Sequence, residues 1–156
     1  MKLRIILVSL IGLAMIISAC SGKSGDESLV KSEYGDLPSA FIEEQTIIQV
    51  TTDKKEYSSQ VNEITLSIAN TGTTAVGYGT SLYVEKLING KWYQIPYKRL
   101  AFEDIALGIE ANSSFDQEVP LDHLYYQFTE GNYRITKSFF VNEDKFVLGA
   151  EFEIKE

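Results

Sequence analysis

The single histidine of the chain, His123, is the side chain best suited to acid–base chemistry or metal binding near neutral pH. As a catalytic base it would need a nucleophile and an orienting group whose proximity the sequence does not show, and as a zinc ligand it would need further Cys or His residues. Its acidic neighbours Asp116, Glu118 and Asp122 could offer oxygen ligands to calcium, but no acidic loop of defined spacing is present. We therefore expect a histidine in a loop or at a strand edge, and no catalytic residue, metal or cofactor.

The single cysteine, Cys20, follows a segment that is typical of a secretory signal. Residues 1–4 supply two cations, and residues 5–19 form an apolar run that only Ser9, Gly12 and Ser18 interrupt. As a helix this run would span about 22 Å at roughly 1.5 Å per residue, short of the roughly 30 Å hydrocarbon core of a bilayer. We predict that residues 1–19 are a signal peptide and not a permanent transmembrane helix.

The tetrapeptide before and including the cysteine, Ile17-Ser18-Ala19-Cys20, resembles the lipobox of bacterial lipoproteins. The resemblance implies that the Cys20 sulfur receives a diacylglycerol, that the preceding peptide bond is cut, and that Cys20 becomes the first residue of the mature chain. The alternative is an ordinary signal-peptide site ending in small residues. Lipidation would anchor the protein on the extracytoplasmic face of the cell membrane and would leave no thiol for a disulfide.

The charge of the mature chain argues against two classes of partner. Loss of Lys2 and Arg4 lowers the 14 cationic residues to 12, against 22 acidic residues, so the formal net charge becomes −10. Nucleic-acid binding needs clustered Lys and Arg, and an anionic lipid surface repels such a protein. We therefore expect no nucleic-acid partner, and we expect attachment to the membrane through the lipid on Cys20 alone.

Residues 20–45 are predicted to form the lipidated cysteine and a flexible tether. The stretch from Ser21 is rich in Ser, Gly, Asp, Glu and Lys and has too few apolar residues to bury itself. Residues 46–156 then form one domain, which is long enough to bury a core without disulfides.

Residues 46–156 show the period-2 alternation of an all-β domain. Short runs of β-branched and aromatic residues alternate with turn residues, and no helix-length window has an apolar stripe. About seven strands at this spacing predict an antiparallel β-sandwich. The sharpest local signal is Asn89-Gly90, the preferred pair for a type I′ hairpin turn, which sets Leu87 opposite Trp92 and Lys86 opposite Tyr93. The predicted strands are 46–52, 64–70, 81–88, 91–97, 113–119, 132–140 and 145–154.

Five short motifs follow one another in the order that is typical of one family of domains. They are ITLSIAN at 64–70, YG at 78–79 with LYVEKL at 82–87, NGKWYQIP at 89–96, AFEDI at 101–105 and EGNYRITK at 130–137. In this order the chain resembles the bacterial immunoglobulin-like domains of exported and lipid-anchored proteins of Gram-positive bacteria. The resemblance implies an Ig-like fold and an extracytoplasmic setting, and it carries no catalytic residues. In such a fold Tyr133 stands at a tyrosine corner, with its hydroxyl bonded to backbone upstream.

Two lysines and a group of aromatic residues remain to be explained. Lys86 and Lys137 fall on apolar strand faces, where they would either pair with Glu103, Asp104 or Glu151, or mark a bulge or reach the sheet edge.

Exposed aromatics are favoured at interfaces. We therefore predict a non-catalytic module that binds an unidentified protein or envelope component. The alternative is a glycan- or envelope-binding accessory protein. The predicted binding surface consists of Trp92, Tyr83, Leu87, Tyr93 and Arg134.

Overall fold

Alternating apolar and polar residues form eleven strands in the part of the chain that the structure, a computed structural model, describes: residues 25–99 and 105–156. All seven predicted strands are present, with ends that differ by a few residues. The four additional strands have only two to four residues each, too few for a visible alternation. The strands are β1 (Val30–Lys31), β2 (Ala40–Glu43), β3 (Thr46–Thr52), β4 (Glu56–Ser58), β5 (Glu63–Asn70), β6 (Val76–Ile88), β7 (Lys91–Gln94), β8 (Ala106–Ile109), β9 (Ser113–Pro120), β10 (Gly131–Val141) and β11 (Asp144–Lys155).

The strands form two sheets that pack as a sandwich, so the predicted all-β fold is confirmed. The larger sheet has the order β1-β7-β6-β10-β11-β4, with β8 paired to the other half of the long strand β6, and the smaller sheet has the order β2-β3-β5-β9. The pairs are antiparallel except for β4 with β11, which is parallel. Short 3-10 helices lie at Gly25–Ser28 and Leu121–His123.

The core lies between the sheets and follows the alternation of the strands. On β5, Ile64, Leu66 and Ile68 are at most 1% exposed. From the facing sheet, the rings of Tyr133 and Phe152 stack with centroids 5.6 Å apart. The Tyr133 hydroxyl donates to the carbonyl of Thr129 at 2.7 Å and accepts the Thr129 backbone N–H at 3.2 Å. This is the tyrosine corner that the resemblance implied.

The β6–β7 hairpin has the predicted register. Leu87 lies opposite Trp92 and Lys86 opposite Tyr93. Asn89 and Gly90 both have positive φ, at 50° and 73°, as a type I′ turn requires. Because the register is right, the two faces of the hairpin are also assigned correctly: Trp92 lies on the face that points away from the core.

The predicted flexible tether is wrong for residues 25–43, which are held against the domain. Residues 29–39, which we call the strap, run along β7 and then cross the outer face of the large sheet. The Ser32 N–H donates to the Trp92 carbonyl at 2.9 Å, and the Gly149 N–H donates to the Pro38 carbonyl at 3.0 Å. β2 then pairs with β3 of the other sheet. A composition poor in apolar residues did not reveal that the backbone groups of this segment bond to strands far along the chain.

The predicted signal peptide and Cys20 lie outside the described residues, as do Glu103 and Asp104. Within the described residues, no helix has both the length and the apolar character needed to span a bilayer.

Candidate functional site

The five residues of the predicted binding surface do not form one exposed patch. Trp92 is 5% exposed and Arg134 is fully buried, while Tyr83, Leu87 and Tyr93 are half-buried. Tyr93 is also on the opposite face of β7 from Trp92. The prediction of an exposed aromatic surface around Trp92 is therefore wrong, and so is the coplanar aromatic platform that the glycan-binding alternative required.

The structure instead makes Arg134 the centre of a buried polar cluster. Its Nε and Nη2 lie 2.7 and 2.6 Å from Oε2 of Glu85, the cross-strand neighbour on β6. Nη1 donates to the carbonyl of Gly35 at 2.6 Å, and the guanidinium lies 4.2 Å from the centroid of the Trp92 ring. The other Glu85 oxygen, Oε1, accepts the Ser32 hydroxyl at 2.7 Å. Each charge is thus partnered, as a buried ion pair requires.

The strap is what buries this cluster. Besides Ser32 and Gly35, it brings Asp36, whose Oδ1 accepts the Trp92 indole N–H at 3.3 Å. It also brings Leu37 over Gly149, where an added Cβ would lie 3.1 Å from the Leu37 Cβ. A shallow cleft of about 340 Å³ remains between the strap and the β6–β7 hairpin. Sequence reasoning points to Trp92 and Arg134 but misses Glu85 and the strap residues. The available signal was a carboxylate between Tyr83 and Leu87 on the same face of β6.

A second polar cluster surrounds Lys86 at the inner side of the hairpin. Its Nζ donates to the Tyr126 hydroxyl at 2.7 Å and to the Thr129 hydroxyl at 2.8 Å, and lies 3.4 Å from Oδ1 of Asp26. The Tyr126 hydroxyl in turn donates to the same Asp26 oxygen at 2.6 Å. Burial, and then this bond to Asp26, raise the pKa of Tyr126, so the phenol stays protonated. Lys86 does pair with a carboxylate, but with Asp26 and not with Glu151, which is exposed.

Lys137 lies on the inner face of β10 beside an irregularity in the pairing with β6, as the bulge interpretation predicted. Its Nζ donates to the Gly79 carbonyl at 2.9 Å and is 5.0 Å from the centroid of the Tyr78 ring. Burial lowers the pKa of Lys137 to about 8.

His123 and its acidic neighbours are exposed. The His123 Nε2 lies 3.9 Å from Oδ1 of Asp122, and Asp116 accepts the Ser67 hydroxyl at 2.6 Å. Within residues 25–99 and 105–156, no group of three or more His, Cys, Asp or Glu side chains could hold a metal ion.

The outer face of the large sheet carries an open groove of about 520 Å³ at the end near β8. Gly77, Gly79 and Ser81 of β6 line it, so its floor lies close to the backbone, and the exposed side chains of Ile105 and Phe140 lie beside them. Apolar side chains are exposed in this groove, whereas the strap covers them elsewhere on the same face.

Residues 44–153 match the profile of the bacterial Ig-like domain. The match spans most of the chain and includes every strand except β1 and β2. The chain belongs to the bacterial Ig-like domain family. The family match begins after the strap, so residues 25–43 lie outside the matched range. No curated protein matches the chain.

Several solved structures also resemble this bacterial Ig-like domain. They include the alkylpurine DNA glycosylase AlkC of Pseudomonas fluorescens (15% identity, 72% of this chain and 31% of that chain, TM-score 0.40) and a PapD-like domain of human CEP192 (15%, 80% and 95%, 0.40). A β-glucosidase of Listeria innocua is a third (16%, 74% and 17%, 0.36). The chain thus spans less than a third of the glycosylase and of the glucosidase. No functional conclusion follows from likeness at this level.

Proposed function

We propose that the protein is an exported lipoprotein, anchored through Cys20 to the extracytoplasmic face of the cell membrane, and that its Ig-like domain is a non-catalytic interaction module. Two features support this proposal: the lipobox-like sequence at residues 17–20 and membership of a family of Ig-like domains. The polar clusters around Arg134 and Lys86 are engaged in holding the chain's own N-terminal segment, so the proposal assigns them a structural role.

The groove beside β8 is the surface that this proposal assigns to the partner. Ile105 and Phe140 are exposed apolar side chains next to a floor of small residues, and exposed apolar patches are typical of interaction sites. The partner is a protein or an envelope component that presents an apolar segment to this groove.

Lipidation is tested by expressing the full chain in a bacterium supplied with an alkyne-labelled fatty acid. We expect wild-type protein to carry the label and to fractionate with membranes, and Cys20→Ser to lose both properties. Ser21→Ala, a neighbouring change that keeps the acceptor thiol, should behave like wild type. Unlabelled wild-type protein would contradict the anchoring proposal.

The interaction surface is tested in the same cells with a photoreactive amino acid placed at Ile105 or at Phe140. We expect a discrete crosslinked product from these positions. None should form from Ser114, which is exposed on the polar face of the small sheet. Equal crosslinking from all three positions, or none from any, would contradict a specific partner in the groove.

A further inference from the structure

The start of the described chain is held against the domain, close to the proposed lipid anchor. Asp26 bonds to Tyr126 and pairs with Lys86. Gly25 lies so near the Tyr126 ring that an added Cβ would be 2.9 Å from its Cδ2. The side chain of Lys86 is 10% exposed, so undocking Asp26 would leave a largely buried ammonium without its carboxylate. Residues 25 and 26 are therefore a fixed point on the domain.

Only residues 21–24 separate Cys20 from this fixed point. The five steps from Cys20 to Gly25 span at most about 18 Å, since a fully extended chain advances about 3.3–3.6 Å per residue. The long axis of the sandwich is greater: β10, with 11 residues, is about 33 Å long at roughly 3.3 Å per step. A linker this short restricts the orientations that the domain can take at the membrane.

The surface next to the fixed point contains an exposed aromatic residue and two adjacent cations. Tyr125, 66% exposed, is two residues from Gln127, whose backbone nitrogen is 3.8 Å from a Cβ built on Gly25. The Tyr125 N–H donates to the Pro96 carbonyl, and the Lys98 N–H donates to the His123 carbonyl. Lys98 and the exposed Arg99 after it therefore adjoin Tyr125.

We propose that this surface, formed by Lys98, Arg99, His123 and Tyr125, lies against the anionic bilayer that holds Cys20. The inference rests on the proposed lipid anchor. Lys98 and Arg99 would meet headgroup phosphates, and Tyr125 would lie at the level of the headgroups, where aromatic rings are favoured. The opposite end, with the β10–β11 turn at Asn142 and residues 43–46, points away from the membrane.

The net charge of −10 belongs to the whole mature chain, whereas the proposed contact involves only one end of the domain. Asp122 lies beside this surface, and its backbone carbonyl accepts a hydrogen bond from the Lys98 ammonium at 2.6 Å. The exposed carboxylates of Glu63 and Glu130 lie at the same end of the sandwich. Beyond about a Debye length, roughly 8 Å at physiological salt, charges are largely screened, so the acidic groups at the opposite end of the domain have little effect at the bilayer. The groove with Ile105 and Phe140 lies towards the end that holds Asn142, so it stays open to a partner.

The experiment couples the mature chain, beginning at Cys20, through its only thiol to a maleimide-headgroup lipid in nanodiscs that contain anionic lipid and a gadolinium-chelate lipid. We expect the backbone amides of Lys98, Arg99 and Tyr125 to show several-fold stronger paramagnetic relaxation than those of Asn142 and Glu143. Equal relaxation at the two ends, or the reverse order, would overturn the proposal. Because the coupling is chemical, the outcome does not depend on lipidation in cells, so a failure here and a failure of the anchoring proposal are distinguishable.

Two variants test the cause of the orientation. Asp26→Ala releases the fixed point and should bring the ratio of relaxation at the two ends towards one, whereas Glu143→Ala, which removes a carboxylate at the far end, should leave it unchanged. An unchanged ratio in Asp26→Ala would show that the docking of Asp26 does not orient the domain. The amide spectrum shows whether each variant is folded, and the wild-type comparison stands even if Asp26→Ala is not.

Discussion

Charged side chains inside the large sheet are stabilised in two different ways. Glu85 and Arg134 neutralise each other, and strap groups occupy their remaining hydrogen-bonding positions. Removing one member of such a buried pair typically costs about 3–5 kcal/mol, because the other charge is left unpaired. Lys137 has a carbonyl and an aromatic ring as its partners instead, and its ammonium form is destabilised by burial. A neutral amine is therefore accessible at Lys137 near pH 8.

Lys137 should make the stability of the domain depend on pH. Burial lowers its folded-state pKa from 10.5 to about 8, so between these values the unfolded chain binds more protons than the folded chain. The contribution of this group to the free energy of unfolding therefore increases as the pH rises through this range. We expect Lys137→Met to lack this increase in urea unfolding measured from about pH 7 to pH 10.

The matched control is Lys145→Met, which changes an exposed lysine on β11. It should keep the pH dependence of the wild type. A Lys137→Met variant with the same pH dependence as wild type would show that the amine is not desolvated in the folded state.

At the level of elements, the strap determines which parts of the large sheet are exposed. It crosses from β7 to β11 and contacts the outer face through backbone carbonyls, Ser32 and Asp36. The strap packs closely over Gly149. A Cβ built on Gly149 would lie 3.1 Å from the Leu37 Cβ and 3.5 Å from the Arg134 Cδ. A side chain at this position would press against the strap, which would have to move by a few tenths of an ångström.

Gly149→Ala should displace the strap and expose Trp92. Overpacking of this kind typically costs about 1–3 kcal/mol. Because Trp92 is the single tryptophan, its emission reports directly on the strap, and we expect a shift to longer wavelength with stronger quenching by acrylamide. Gly108→Ala, with nothing within 4 Å of the added Cβ, is the control. Identical quenching in the two variants would mean that the strap adjusts without moving from Trp92.

At the level of the whole molecule, the N-terminal segment ties the two sheets together. It pairs β1 with the large sheet and β2 with the small sheet, and between them it crosses the large sheet. The chain reaches this arrangement without disulfides among the described residues, so packing and hydrogen bonds hold it. The family match begins at residue 44, after this segment.

A chain that begins at Glu44 should therefore be much less stable than one that begins at Gly25. It lacks the strap, including β1, and it lacks β2, so Trp92 becomes exposed and Arg134 loses the Gly35 carbonyl. We expect the free energy of unfolding to fall by about 3 kcal/mol or more, from the exposed ring and the lost hydrogen bonds. A chain that begins at Leu29 is the control, with a smaller loss from the Asp26 contacts. Equal stability of all three chains in urea would contradict a structural role for the strap.

The features that the sequence alone determined are those carried by neighbouring residues. The period-2 alternation predicted the seven main strands and their inner faces, and Asn89-Gly90 predicted the hairpin register, since side-chain direction and turn type are local properties. The burial of Trp92 and Arg134 was decided only by the tertiary structure. Alternation placed both residues on the outer face correctly, but whether that face meets water depends on the strap, and the Gly35 carbonyl that Arg134 contacts is 99 residues away in the chain. The docking of Asp26 depends in the same way on Tyr126, 100 residues further on, because only the folded chain brings such distant groups together.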